Sequence, residues 1–188
     1  MVMSANWFIA LPVAAGPWFD ALQPPAGVRL FGPSDLHVTV AFLGPVREDQ
    51  ALAAFAQAPA FALDPTEVRL GPVECLGSKL RPSAFSALLL DGRAEVEAAL
   101  GAVRERMWDA AEARRDTRPP LAHVTLARPS RRATTSQHQQ AMRWARAIDL
   151  GAPSVHLHSI ALYTWSADRE SSLFRTVRSL PLTAATTA

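Results

Sequence analysis

Two short stretches, Leu36-His37-Val38-Thr39-Val40 and Ala122-His123-Val124-Thr125-Leu126, carry the residue types best suited to proton transfer in this chain. In an extended strand side chains alternate between faces. His37 and Thr39 then share one face, and Leu36, Val38, Val40 and Phe42 share the other. The second stretch divides in the same way, with His123 and Thr125 opposed to Ala122, Val124 and Leu126. Each strand has one chemical face and one core face. If the two strands meet, they enclose two imidazoles and two hydroxyls around a small space. Histidine both takes and gives protons near neutral pH. A hydroxyl two residues along can donate to oxygen atoms on which negative charge builds up.

One His-x-Thr is ordinary in a chain with five histidines and eleven threonines. Two copies in matching apolar surroundings are a signal. The remaining candidates are weaker. His156-Leu157-His158 places two imidazoles on one strand face, but no third ligand has metal-site spacing. His138 falls in a polar helix and is expected to be exposed. Arg131 and Arg132, with Arg143 and Arg146 on the following helix, form either a basic rim for a polyanion or a solvated face. The five tryptophans are expected mostly in the core, with one unassigned aromatic near the cleft free to stack a base. No Walker loop, Gly-x-Ser-x-Gly elbow or dinucleotide fingerprint is present.

The elements that must position the two motifs follow from pattern and punctuation. Asn6 to Leu11 reads as a buried strand, Gly16-Pro17 opens a short helix that Pro24-Pro25 stops, and Val28 to Phe31 is a strand. After the first motif, Gly44-Pro45 ends the strand and an alanine-rich helix follows, with Leu52, Phe55 and Ala56 on its apolar face. Glu67 to Cys75 and Ser83 to Leu90 are strands joined by a loop too long for a tight hairpin turn. Val96, Leu100, Val103, Met107 and Ala110 recur at three- and four-residue steps and mark the clearest helix. After the second motif come a helix from Thr134 to Ile148, a strand from Ser154 to Thr164 and a last strand from Leu173 to Leu180. Ala184 to Ala188 is expected to fray.

The two halves repeat. His37 is followed by a proline, a helix and Glu67-Val68-Arg69-Leu70; His123 is followed by a proline, a helix and Ser154-Val155-His156-Leu157. The histidines are 86 residues apart and the later strands 87, so the register holds over more than thirty residues. The spacing predicts an α+β fold in one domain spanning residues 1–188, with two antiparallel β-sheet lobes related by a pseudo-two-fold axis, outer helices and a central cleft.

Composition sets limits on function. With 188 residues, 49% of them hydrophobic, the chain can build one full core. Its formal net charge is only +2, and the basic residues are eighteen arginines and a single lysine. That lysine, Lys79, sits in the turn-like Gly77-Ser78-Lys79-Leu80-Arg81-Pro82, which argues against an ATP-dependent ligase carrying adenylate on lysine. Cys75 is alone, so a disulfide framework and a cysteine zinc site are excluded. The apolar run from Trp7 to Ala15 has no basic residue before it and is interrupted by Pro12, which reads as a strand rather than a signal peptide. No apolar stretch reaches membrane-span length. A soluble cytoplasmic monomer is expected.

Leu36-His37-Val38-Thr39-Val40-Ala41-Phe42-Leu43-Gly44 and His123-Val124-Thr125-Leu126-Ala127-Arg128 resemble the tandem motifs of the 2H phosphoesterases. Within that superfamily the chain is most similar to the LigT-like RNA 2′,3′-cyclic phosphodiesterases, also called 2′-5′ RNA ligases. Ala122 stands where that family carries proline. The resemblance implies the same bilobal fold and hydrolysis of RNA 2′,3′-cyclic phosphate ends to 2′-phosphates, without metal or other cofactor. It also implies a reverse, ATP-independent 2′-5′ ligation. It assigns His37 as proton donor and His123 as proton acceptor, roles the residues alone leave open. Thr39 and Thr125 would bind the non-bridging oxygens and Arg128 would clamp the phosphate, although strict alternation places Arg128 on the face opposite His123. Two alternatives stand beside this reading: a phosphodiesterase for 2′-5′ oligonucleotides or small cyclic nucleotide phosphates, and a non-catalytic module that binds RNA ends.

Overall fold

The computed structural model describes residues 5–182, and the stretch expected to fray, residues 184–188, lies outside them. The described elements run β1 (Trp7–Pro12), α1 (Pro17–Asp20), β2 (Val28–Leu30), β3 (His37–Gly44), α2 (Glu48–Phe55), β4 (Thr66–Gly77), β5 (Pro82–Leu89), α3 (Arg93–Ala110), β6 (His123–Pro129), α4 (Thr135–Ala147), β7 (Ser154–Leu157), β8 (Ser159–Trp165) and β9 (Phe174–Pro181). The strands pair in the order β7-β4-β5-β6-β3-β1-β8-β9, with β2 beside β6. Every pairing among the described residues is antiparallel. Strands β7 and β8 are separated only by His158, yet they lie near opposite ends of this order. The sheet must therefore curl until its ends approach each other.

The predicted two-fold relation appears in the strand register. Val38 pairs with Val124, and these are the same position of the two motifs. Val68 pairs with Val155, again equivalent positions of the two later strands. An antiparallel pair of equivalent residues maps onto itself when the halves are exchanged, so a local two-fold axis passes through each of these pairs. Farther out the correspondence continues: Ala10 faces Thr39 across β1 and β3, as Ser86 faces Thr125 across β5 and β6.

Helices α2 and α3 pack on each other and on β1, β3 and β8, whereas α4 packs on β4. Helix α3 buries Val96, Leu100, Val103 and Met107 as the spacing predicts, together with Ala99 and Trp108. Helix α4 begins with a reciprocal cap: Gln137 N–H donates to Thr134 Oγ1 and Thr134 N–H donates to Gln137 Oε1. One large apolar cluster runs through both halves, beside a smaller one of Phe8, Ala10, Ala161 and Tyr163. Gly92 opens α3 in the left-handed region, and a Cβ there would come within 2.7 Å of Val68 Cγ1, so a side chain is excluded twice over.

Several expectations are corrected. The strand read from Ser154 to Thr164 is two strands, β7 paired with β4 and β8 paired with β1 and β9. The chain changes neighbours at His158, whose carbonyl accepts from Leu182 N–H. The equivalent point of β4 is Gly71-Pro72, where pairing with β5 is interrupted because proline has no N–H for the ladder. Strands β4 and β5 extend to pair Gly77 with Pro82, leaving a shorter loop than expected. Helix α2 buries Ala51, Ala54 and Phe55, and Ala56 is exposed. His138 is buried at 8% exposure, because it lies on the face of α4 turned toward the sheet with Ala141 and Ala145.

Asp35 closes the fold beside the first motif. It is 2% exposed, in a 3-10 turn of residues Pro33–Asp35 just before β3. Its carboxylate accepts from the N–H groups of Gly32, Leu173 and Phe174 and from Ser172 Oγ. One buried carboxylate thus fixes the start of β9 against the start of β3. Asp35→Ala would leave these donors unpaired and is expected to cost about 2–4 kcal/mol in urea denaturation. A loss below about 0.5 kcal/mol would show that this latch is dispensable.

Candidate active site

The two His-x-Thr strands meet at a single bridge, Val38 to Val124, and both valines are fully buried. Continued to either side, the antiparallel register sets His37 abreast of Thr125 and Thr39 abreast of His123. All four side chains line one cleft of about 450 Å³.

The two imidazoles are held in the same way. His37 Nδ1 lies 2.6 Å from the Asp35 carbonyl oxygen and His123 Nδ1 lies 2.7 Å from that of Leu121. A carbonyl can only accept, so each Nδ1 carries a proton and donates it. Each neutral ring therefore keeps Nε2 unprotonated and free for chemistry. The surroundings differ. The His37 ring is walled by Phe8 at 4.8 Å, Phe174 at 5.7 Å and Tyr163 at 5.9 Å. Burial pushes His37 down from 6.5 to about 4; the Asp35 carbonyl opposes this, and His123 and Arg128 add to it. His123 is also lowered, again chiefly by burial, with Arg118 and Arg128 contributing.

The hydroxyls differ too. Thr125 Oγ1 lies 3.1 Å from Ser86 Oγ, and Ser86 is fully buried. The residue equivalent to Ser86 beside Thr39 is Ala10, which offers no such partner.

Arg128 lines the cleft, against the expectation from alternation. The reason is a β-bulge. On β6, Thr125 faces Ser86 and Ala127 faces Phe85, so Leu126 is an extra residue in the ladder. Leu126 and Ala127 are both fully buried, and the alternation resumes with Arg128 on the histidine face. Strand β3 has the same bulge: Thr39 faces Ala10 and Ala41 faces Ile9, with Val40 and Ala41 both buried. Phe42, expected in the core, is consequently turned into the cleft and is 55% exposed. Trp108 Nε1 donates to the Phe42 carbonyl at 3.1 Å and braces this end of the strand.

Arg128 sits with its guanidinium carbon 5.4 Å from the centre of the Phe31 ring. Of the basic rim considered from sequence, Arg131 lines the cleft; Arg132, Arg143 and Arg146 are exposed and do not. Trp165, expected in the core, is half-buried and lines the cleft with Phe8, Phe31 and Phe174. Arg29 and Arg169 also line it without having been anticipated, since they come from a short strand and a turn with no motif of their own. Phe42 follows His37 by five residues as Arg128 follows His123, but alternation puts both on the core face, and only the bulges turn them to the cleft. His156 and His158 stack on each other at 5.9 Å on the surface. Among the described residues no three or more His, Cys, Asp or Glu side chains gather closely enough to hold a metal ion. No described helix is long and apolar enough to cross a membrane.

A curled antiparallel sheet with paired His-x-Thr strands facing one cleft defines the LigT-like 2H phosphoesterase fold class. The chain belongs to the 2′-5′ RNA ligase superfamily, whose family model matches residues 11–169. Its fold is similar to that of Escherichia coli LigT complexed with 3′-AMP, at a TM-score of 0.68 and 19% identity, covering 95% of this chain and 98% of that one. TT0787 of Thermus thermophilus gives a TM-score of 0.68 at 18% identity, with 95% and 98% covered. Usb1 of Kluyveromyces marxianus gives 0.57 at 10% identity, with 97% and 99% covered. Among curated proteins, no sequence matches the chain.

The lowered His37 makes stability depend on pH with a definite sign. The unfolded chain takes up this proton near 6.5 and the folded one near 4, so the unfolded state binds more protons in between. The contribution is complete above pH 6.5 and is lost as pH falls toward 4. Denaturation midpoints measured from pH 7 to 4.5 should fall more steeply in the parent than in His37→Gln. Parallel curves would remove His37 from this account.

Proposed function

We propose that the protein hydrolyses RNA 2′,3′-cyclic phosphate ends to 2′-phosphates by acid–base catalysis between His37 and His123, with no metal. The observation that carries this reading is the pair of imidazoles, each pinned through Nδ1 to a main-chain carbonyl and each presenting Nε2 to the same cleft. In-line displacement at phosphorus needs a proton acceptor on the side of attack and a proton donor on the side of departure. A local two-fold axis between the motif strands supplies one imidazole for each side.

In this reaction His123 Nε2 takes a proton from water as the water oxygen bonds to phosphorus. The bond from phosphorus to the 3′-oxygen breaks, and that oxygen receives the proton on His37 Nε2. Thr39 and Thr125 donate to the non-bridging oxygens, and Arg128 holds the phosphate charge. Run with a 5′-hydroxyl end in place of water, the same displacement forms a 2′-5′ linkage without ATP. Both rings are neutral at pH 7 in the free protein. The entering phosphate anion favours the imidazolium and so creates the donor. The assignment of His37 as donor follows the family resemblance; of the influences on that ring the Asp35 carboxylate is the weakest, and burial outweighs it.

Incubation of an oligoribonucleotide 2′,3′-cyclic phosphate with the protein in EDTA should yield a 2′-phosphate end. A 3′-phosphate end would exchange the bond that breaks, and the absence of hydrolysis by folded protein would sink the reading. The pH profile of kcat/KM, which reports the free enzyme, should be bell-shaped with its maximum below pH 6.5, because both histidines are lowered. Thr39→Ala and Thr125→Ala should each reduce kcat about 10- to 100-fold; unchanged kinetics in both would remove the hydroxyls from the mechanism.

A further inference from the structure

The cleft is electrostatically lopsided. One end carries Arg29, Arg128, Arg131 and Arg169, and no Asp or Glu lines it anywhere. The ion pairs of the described residues engage Arg47, Arg69, Arg93, Arg115 and Arg118, and none of the four cleft arginines. Two of them, Arg29 and Arg128, are direct cross-strand partners on β2 and β6. Like charges placed opposite each other on a sheet cost stability, and this pair has no carboxylate to offset it. The position equivalent to Arg128 in the other half is Phe42, so the two-fold arrangement of the reacting groups does not require this concentration of charge.

The arginine end is also built rather than loose. Arg29 Nη2 donates to the Arg169 carbonyl at 2.7 Å, which ties β2 to the turn between β8 and β9. The Arg169 guanidinium lies 4.4 Å from the centre of the Trp165 ring. Within the turn, Asp168 accepts from Glu170 N–H and Ser171 Oγ, and the next residues are held by the buried Asp35 carboxylate. The same Asp35 fixes His37 through its carbonyl. The Arg29 guanidinium is thus held by a hydrogen bond and that of Arg169 by its stacking on Trp165, and the turn carrying Arg169 is anchored to the residue that also fixes His37.

We propose that Arg29, Arg131 and Arg169 form a site for a second phosphate of the substrate, the one on the 5′-oxygen of the nucleoside that carries the cyclic phosphate. This rests on the hydrolytic reading above and specifies its substrate class: RNA ends and 5′-phosphorylated nucleoside 2′,3′-cyclic phosphates rather than cyclic phosphates with a free 5′-hydroxyl. Arg128 serves the reacting phosphate, and the other three serve its neighbour with planar, bidentate donors.

The test compares adenosine 2′,3′-cyclic phosphate with the same compound bearing a 5′-phosphate. The 5′-phosphate should raise kcat/KM about tenfold or more, and that advantage should shrink as salt rises. In Arg131→Gln and Arg169→Gln the ratio between the two compounds should fall toward one, whatever happens to the absolute rates. Equal kcat/KM for the two compounds with the parent protein would overturn this inference and leave the hydrolytic reading standing. If neither is hydrolysed, the hydrolytic reading is left to the oligoribonucleotide assay above, and the second site is decided by calorimetry with adenosine 2′-phosphate and adenosine 2′,5′-bisphosphate. Equal affinities there would overturn it; a gain of about tenfold for the bisphosphate, lost in Arg169→Gln, would uphold it.

Discussion

The contact on which the site depends is the pairing of Val38 with Val124. It joins equivalent positions of two similar strands and so sets the local two-fold axis that brings both imidazoles and both threonine hydroxyls to one cleft. The valines themselves do no chemistry. Their full burial fixes which face of each strand is core, and with it the face on which the histidines must emerge. A slip of one residue at this bridge would send His37 into the core and expose a valine to the cleft.

The bulges at Val40-Ala41 and Leu126-Ala127 extend the site beyond what plain strands allow. Each adds one buried residue, after which the next side chain returns to the cleft. In one half that side chain is an arginine and in the other a phenylalanine. The same backbone device therefore supplies a charged clamp on one side and an apolar wall on the other. A symmetric backbone is thus filled with unlike side chains.

Asymmetry recurs wherever the two halves are compared. Asp35 stands where the other half has Leu121, and Ser86 stands where the first half has Ala10. The aromatic wall of Phe8, Tyr163 and Phe174 encloses His37, and no aromatic ring is stacked on His123 among the described residues. Two histidines with the same kind of main-chain anchor thus experience different surroundings, as the proposed division into donor and acceptor needs. The cost of burying His37 is a neutral ring at pH 7, and in the proposed reaction the anionic substrate restores its charge.

The sequence by itself determined the pieces whose signals are local or repeated. Strand alternation put His37 with Thr39 and His123 with Thr125, the α3 periodicity chose its buried face, and the 86-residue repeat foretold the two-fold pairing. Only the tertiary structure decided where Arg128 and Phe42 point, because a bulge is defined by the partner strand and alternation alone cannot register it. It also decided that residues 154–164 serve two strands, since exchange of sheet neighbours at His158 leaves the local β-forming pattern intact. His138 reads as polar and exposed along the helix, but the packing of α4 on β4 buries it. Arg29, Trp165 and Arg169 meet at the cleft from distant parts of the chain. Their meeting arises from a curled sheet that brings β2 and the turn after β8 together, a proximity that no spacing in the sequence encodes.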